Sequence, residues 1–226
     1  KLKLLEETRR EFVGNVSHEL RTPLSIIKGY AETLGSMPTD TATTQKFAHI
    51  VERHADRLTA LVEDLLTISG LESGQMGMNI LPVDAHKLTS RVLDELEEKA
   101  AKRGVTLLSK VEPGFTVKAD SGRLQQVLLN LVDNALKYGR ENGVVTVESA
   151  RFEGEVELSV SDDGQGIPME ARDRVFERFY RVDKARSRDQ GGTGLGLSIV
   201  KHIMQAHGGR VWVTSSDSNG AKFCLR

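Results

Sequence analysis

Helical periodicity governs the first 70 residues or so of this chain, and strand-like alternation sets in only after about residue 104, so two segments of different character follow one another. Placed on an ideal helix at about 100° per residue, Leu2, Leu5, Phe12, Val16, Leu20, Ile27 and Leu34 fall on one stripe. His18 lies opposite that stripe, with Thr22 one turn further along, so the histidine is expected to face solvent or a partner. A second helix is expected within 41–70, where Phe47, Ile50, Val51, His54, Leu58, Leu61, Val62, Leu65 and Ile68 recur every three or four residues. Between the two, GSMPTD supplies Gly35 and Pro38 as breakers. A hairpin of two amphipathic helices leaves an apolar stripe uncovered, and pairing into a homodimeric four-helix bundle would bury it.

Glycines and Pro82 mark LESGQMGMNILPVD as a linker, and the organisation expected is a helical domain at 1–70, a linker at 71–83 and a second domain at 84–226. In the second domain the pattern predicts helices near 85–102, 122–138 and 195–207. Strands are expected near 105–108, 144–149, 156–161, 210–214 and 221–225. One sheet with helices on one face, an α/β sandwich, accounts for that order.

Charge narrows the partners: 31 basic against 32 acidic side chains lack the basic excess that phosphate-backbone binding usually needs, which argues against nucleic acid. A single cysteine, Cys224, has no internal disulfide partner and fits a reducing compartment. No apolar run approaches the ~18 residues of a membrane helix, so the residues given read as soluble. The chain begins at Lys1 within a charged helical stretch, and is therefore expected to be part of something longer.

Four constellations carry chemistry. In FVGNVSHELRTPL, residues 12–24, Glu19 follows His18 and is placed to hold the imidazole in the tautomer that leaves its other nitrogen free to attack. Pro23 removes the hydrogen bond to the carbonyl of Glu19, at a cost of ~3 kcal/mol, and predicts a bend just beyond the histidine. In QVLLNLVDNALKYG, residues 126–139, Asn130, Asn134 and Lys137 share one helix face, which suits a hydrated Mg²⁺ and the phosphates it carries. In VELSVSDDGQGI, Asp162 continues the inward register of Val156, Leu158 and Val160, and a buried carboxylate there requires a donor such as an adenine amino group. Gly164 and Gly166 would let the backbone turn closely beneath the base. In GGTGLGLSIVKHIMQAHGG, Gly192, Gly194 and Gly196 lead into a helix whose free amides suit phosphate, and Lys184, Arg186 and Arg188 precede it. Taken singly, each motif also fits a solvated face or a plain turn.

In this order, together with VFERFYRVD at 175–183, the motifs resemble the two-component sensor histidine kinase family across essentially the whole chain. The resemblance implies a dimerisation and histidine phosphotransfer domain followed by an ATP-binding domain of the gyrase and HSP90 type. It makes His18 the phosphoacceptor, Glu19 the general base, and Thr22 the residue that places water for dephosphorylating a partner. It makes Asn134 the Mg²⁺ ligand, sets Asn130, Lys137 and Tyr138 near phosphates or ribose, and gives Asp162 to adenine. The first glycine box adds Gly164, Gly166 and Ile167; the second adds Gly192, Thr193, Gly194, Leu195, Gly196 and Leu197; Tyr180 and Arg181 line the same nucleotide site. Implied with them are ATP and Mg²⁺, a homodimer, a response regulator receiver domain as partner, and a full-length protein of the bacterial inner membrane with this part on the cytoplasmic side. Asp163 stands where many relatives have Asn, and is expected to add a charge near the pocket.

Two other readings remain at this point. A gyrase-type ATPase shares the nucleotide fold, but those enzymes carry a water-activating glutamate four residues before the Mg²⁺ asparagine, and here that position is Asn130. A non-enzymatic dimer scaffold would be favoured by loss of His18, Asn134 or Asp162, all of which are present.

Overall fold

The computed structural model describes residues 2–36, 40–73, 77–152, 154–182 and 192–226, with side chains from residue 10 onward. Helix α1 (Leu2–Ser36) and helix α2 (Thr41–Glu72) pack as an antiparallel hairpin, pinned near the turn by an edge-on contact of Tyr30 with Phe47 at 4.9 Å. Asp40 starts α2 by accepting from Thr43 N at 2.9 Å, which satisfies one of the amide groups left over at a helix start. Helix α1 runs unbroken through the buried Pro23, so the missing hydrogen bond to Glu19 does not end the helix. Leu61 and Ile68 are buried, whereas Val13, Leu24, Val62 and Leu66 stay exposed, so part of the apolar surface is left without cover.

After the hairpin come β1 (Leu81–Asp84), α3 (Ala85–Ala101), β2 (Thr106–Lys110), β3 (Thr116–Ala119) and α4 (Ser121–Tyr138). Then follow β4 (Val144–Phe152), β5 (Glu155–Asp162), two short 3₁₀ turns, α5 (Gly196–Ala206), β6 (Val211–Ser215) and β7 (Ala221–Leu225). The main sheet has the order β2-β4-β5-β7-β6, with β2 parallel to β4 and the remaining pairs antiparallel. Its inner face presents Val145, Val147, Leu158, Val160, Phe223 and Val213, all buried against the apolar stripes of α4 and α5. Each such side chain taken fully from water contributes roughly 1.5–3 kcal/mol. This is the α/β sandwich that the alternation predicts.

Strands β1 and β3 pair antiparallel in a small separate sheet that the sequence reading did not anticipate. Each is four residues long with only one or two buried positions, too short for alternation to register, and Pro82 in β1 cannot donate to a ladder. The expected linker at 71–83 is accordingly trimmed at both ends, since α2 continues to Glu72 and β1 begins at Leu81. Asp84 and Asp120 cap α3 and α4 as Asp40 caps α2, and Asp120 also accepts from Asn79 N at 3.0 Å, tying the incoming chain to the start of α4. These amide donors, Asn79 N foremost, hold the Asp120 carboxyl below its usual range.

Candidate active site

Helix α4 turns its apolar stripe to the sheet and its polar stripe to a cavity of about 410 Å³. Asn130, Asn134, Lys137 and Tyr138 line that cavity from α4, together with Asp133, which sequence reasoning passed over. Asp133 lies 2.7 Å from Lys137 Nζ and pairs with Lys99 of α3 as well. Burial opposes its ionisation, but the two ammonium groups prevail and bring the carboxyl below its usual range. Lys137 is thus positioned at the cavity by a neighbour one helical turn away.

Asp162 ends β5 on the inner face, opposite Val145 in register, and is buried. Its Oδ1 accepts from Gly164 N at 2.8 Å and from Ala221 N at 3.3 Å; among the described residues Oδ2 has no partner. Burial raises this carboxyl above the usual range, against the pull of the two backbone amides. Asp162 thus offers the cavity a carboxylate acceptor, which suits an amino donor. Gly220 makes the approach possible, since a Cβ there would lie 2.0 Å from the carbonyl oxygen of Asp162. No pattern in the sequence marks Gly220, because the strand that it presses against is nearly sixty residues away.

Gly166, Ile167, Tyr180, Arg181, Gly192, Thr193, Gly194, Gly196 and Leu197 also line the cavity. Two expected members do not. Gly164 lies behind Asp162 and acts through its amide, and the Leu195 side chain is wholly buried in the core, because the helix it precedes must anchor there. Asp163 does not line the pocket: its Oδ1 accepts from Val144 N at 3.1 Å and secures the entry to β4, while its charge acts on the neighbouring Asp162 and helps to raise that carboxyl. Gly194 adopts φ +77, a left-handed conformation natural to glycine, and its carbonyl accepts from Phe179 N at 2.8 Å. Lys184, Arg186 and Arg188 lie outside the described residues.

His18 is exposed on α1, and Thr22 Oγ1 donates to its carbonyl at 3.2 Å. Glu19 does not orient the imidazole as its place in the sequence suggests. Its Oε2 instead accepts from Arg57 at 3.1 Å and from Arg181 at 3.3 Å, and Arg181 also donates to Gly192 O at 2.7 Å. The residue beside the histidine is therefore joined directly to the rim of the cavity.

Residues 119–226 match the family model described as Histidine kinase-, DNA gyrase B-, and HSP90-like ATPase, and residues 8–74 match the His Kinase A (phospho-acceptor) domain. The chain belongs to the two-component sensor histidine kinase family. Within the family it is 36% identical over 221 residues to the sensor-like histidine kinase SenX3 of Mycolicibacterium smegmatis, a match covering 98% of this chain and 58% of that protein. It is 38% identical over 219 residues to the sensor histidine kinase WalK of Bacillus subtilis, covering 96% of this chain and 36% of WalK. The histidine kinase ThkA, solved in complex with the response regulator TrrA, superposes with a TM-score of 0.79 at 28% identity, covering all of this chain and 63% of that one. The chain thus spans about a third to three fifths of the curated relatives. Among the described residues, no helix is long and apolar enough to cross a membrane.

The donor set fits the family's cofactors. Among the described residues no cluster of three His, Cys, Asp or Glu could cage a metal, whereas the Asn130 and Asn134 carboxamides at the cavity suit an ion held largely by phosphate oxygens and water.

Proposed function

We propose that this chain takes the γ-phosphoryl group of ATP onto His18 and passes it to an aspartate of a response regulator receiver domain. The observation that carries the reading is the junction of the two domains, where Glu19, next to His18, shares Arg181 with the rim of the cavity that holds Asn134 and Asp162. Asp162 Oδ2 accepts from the adenine amino group, and the glycine loop before α5 receives phosphates at the positive end of that helix. Asn134, with Asn130 beside it, holds Mg²⁺, which when bound neutralises charge on the phosphates. Lys137 and Arg181 supply further positive charge where it develops during transfer.

One imidazole nitrogen of His18 attacks the γ-phosphorus, the bond to the β,γ-bridging oxygen breaks, and ADP leaves. Glu19, once free of its arginines, takes the ring proton. In the second step an aspartate oxygen attacks the same phosphorus and the N–P bond breaks, returning His18. Positioning does most of the work in such transfers. Adding a purified receiver domain to labelled protein tests this directly: label should move to the receiver, and label that stays on the chain in the presence of its genuine partner contradicts the reading.

The receiver docks on the bundle surface around exposed His18, and the uncovered Val13, Leu24, Val62 and Leu66 pack against a second copy. Thr22, one turn beyond His18, places a water against the phosphorylated receiver. Thr22→Ala is expected to slow dephosphorylation of the receiver by at least about tenfold. An unaltered dephosphorylation rate would sink the phosphatase assignment. In the whole protein, a membrane-bound sensor outside this chain would supply the stimulus.

A further inference from the structure

Three acids of the helical hairpin reach the nucleotide-binding domain, and each meets a donor. Glu19 meets Arg181, Asp64 accepts from Thr193 Oγ1 at 2.7 Å, and Glu72 at the end of α2 pairs with Arg178 and lies 3.3 Å from His202 Nε2. Phe12 adds an apolar contact, its ring 6.0 Å from that of Phe179 and under the Arg178 guanidinium at 4.9 Å. Phe179 holds a left-handed φ of 62, a strained conformation for a bulky residue that persists only where the surroundings enforce it. Two of these contacts, at Arg181 and Thr193, fall on residues that line the nucleotide cavity, and the others lie beside it at Arg178, Phe179 and His202 of α5.

Asp64 is the member whose position is hardest to explain as mere packing. Burial raises its carboxyl above the usual range, with Thr193 and then the Lys137 charge pulling the other way. Its partner Thr193 lines the cavity and also accepts from Leu195 N at 3.2 Å, at the threshold of α5. A carboxylate of α2 is thus wired through one hydroxyl to the phosphate end of the cavity. Phosphates arriving there seek the same donors and repel the same carboxylate.

We propose that Asp64 is the catch of a latch between the two domains, one that competes with the phosphates of ATP for the second glycine loop. Bound phosphates draw Thr193 and Arg181 inward, Asp64 is released and Glu19 loses its contact with Arg181 while keeping Arg57 of its own hairpin, and the nucleotide-binding domain becomes free to move along the hairpin toward His18. This rests on the ATP reading given above and adds to it a residue that controls the site from the other domain.

The test compares wild type, Asp64→Ala and Asp64→Asn by calorimetric titration with Mg-ATP and, separately, with adenosine. A closed population of about four fifths lowers apparent affinity about fivefold, so Asp64→Ala should tighten Mg-ATP by that factor. Asp64→Asn, which keeps an acceptor for Thr193 but loses the charge, should fall between, and adenosine, having no phosphates, should bind all three alike. Spin labels on Asp56→Cys and Asp217→Cys, both exposed, then report domain separation. Cys224 does not interfere, being buried with its thiol pushed up to about 11 by that burial. Mg-ATP should lengthen the label distance in wild type, and Asp64→Ala should lengthen it without nucleotide. Unchanged or weaker Mg-ATP binding in Asp64→Ala, with wild type binding well, overturns the latch and leaves the ATP reading standing. A wild type with no affinity for Mg-ATP overturns both.

Discussion

Asp162→Asn is expected to weaken Mg-ATP by about 100-fold while the domain stays folded. The asymmetry of the two carboxylate oxygens is the reason. Oδ1 is occupied by Gly164 N and Ala221 N, and an asparagine would keep an oxygen there, so the strand end and the Gly220 contact survive. The amide nitrogen would then face the cavity and set a donor against the adenine amino group, leaving both unpaired. The pH dependence follows with opposite signs for binding and stability. Because burial raises the Asp162 carboxyl from 3.8, its contribution to stability is full below that value and is lost as pH rises through the folded value. Adenine, by contrast, needs the ionised form, so affinity falls as pH is lowered toward the raised value, and in Asp162→Asn this loss should be missing. Calorimetry across that range checks both points.

Asn134→Ala is expected to lower phosphoryl transfer by about 10²–10³-fold, with adenosine binding unaltered. Asn134 lines the cavity and is not among the buried residues of α4's apolar stripe, so its loss removes the proposed metal ligand and not a packing element. The neighbouring charges cannot replace it, because Lys137 is cationic and Asp133 is already committed to Lys137 and Lys99. Single-turnover labelling beside adenosine titration separates the two effects: matched losses in both would mean a damaged fold rather than a missing ligand.

What was legible in the sequence follows the length over which a pattern repeats. Helix α4, with seven buried positions over 18 residues, and β7, whose bounds coincide with the alternation at 221–225, could be read directly. The four-residue strands β1 and β3 could not, since two residues of alternation do not exceed chance. Within the site, residues on one element were legible because spacing alone gathers them: Asn130, Asn134 and Lys137 meet at the cavity as the helical wheel places them. Contacts between elements were not. Glu19 looked like the neighbour of His18, and only the fold sets Arg57 and Arg181 on it; only the fold, likewise, sets Thr193 against Asp64. The hold of Asp163 on Val144 was hidden for the same reason, as that backbone partner belongs to another strand.

The central claim is most directly tested by incubating the chain with Mg-ATP labelled at the γ-phosphate and examining the stability of the label on wild type, His18→Ala and Asn134→Ala. Label on the wild-type protein is expected to survive alkali and to be lost in acid, as a phosphoramidate should be, and to be missing from both variants. Label persisting on His18→Ala, or free phosphate released with none on the protein, would contradict it.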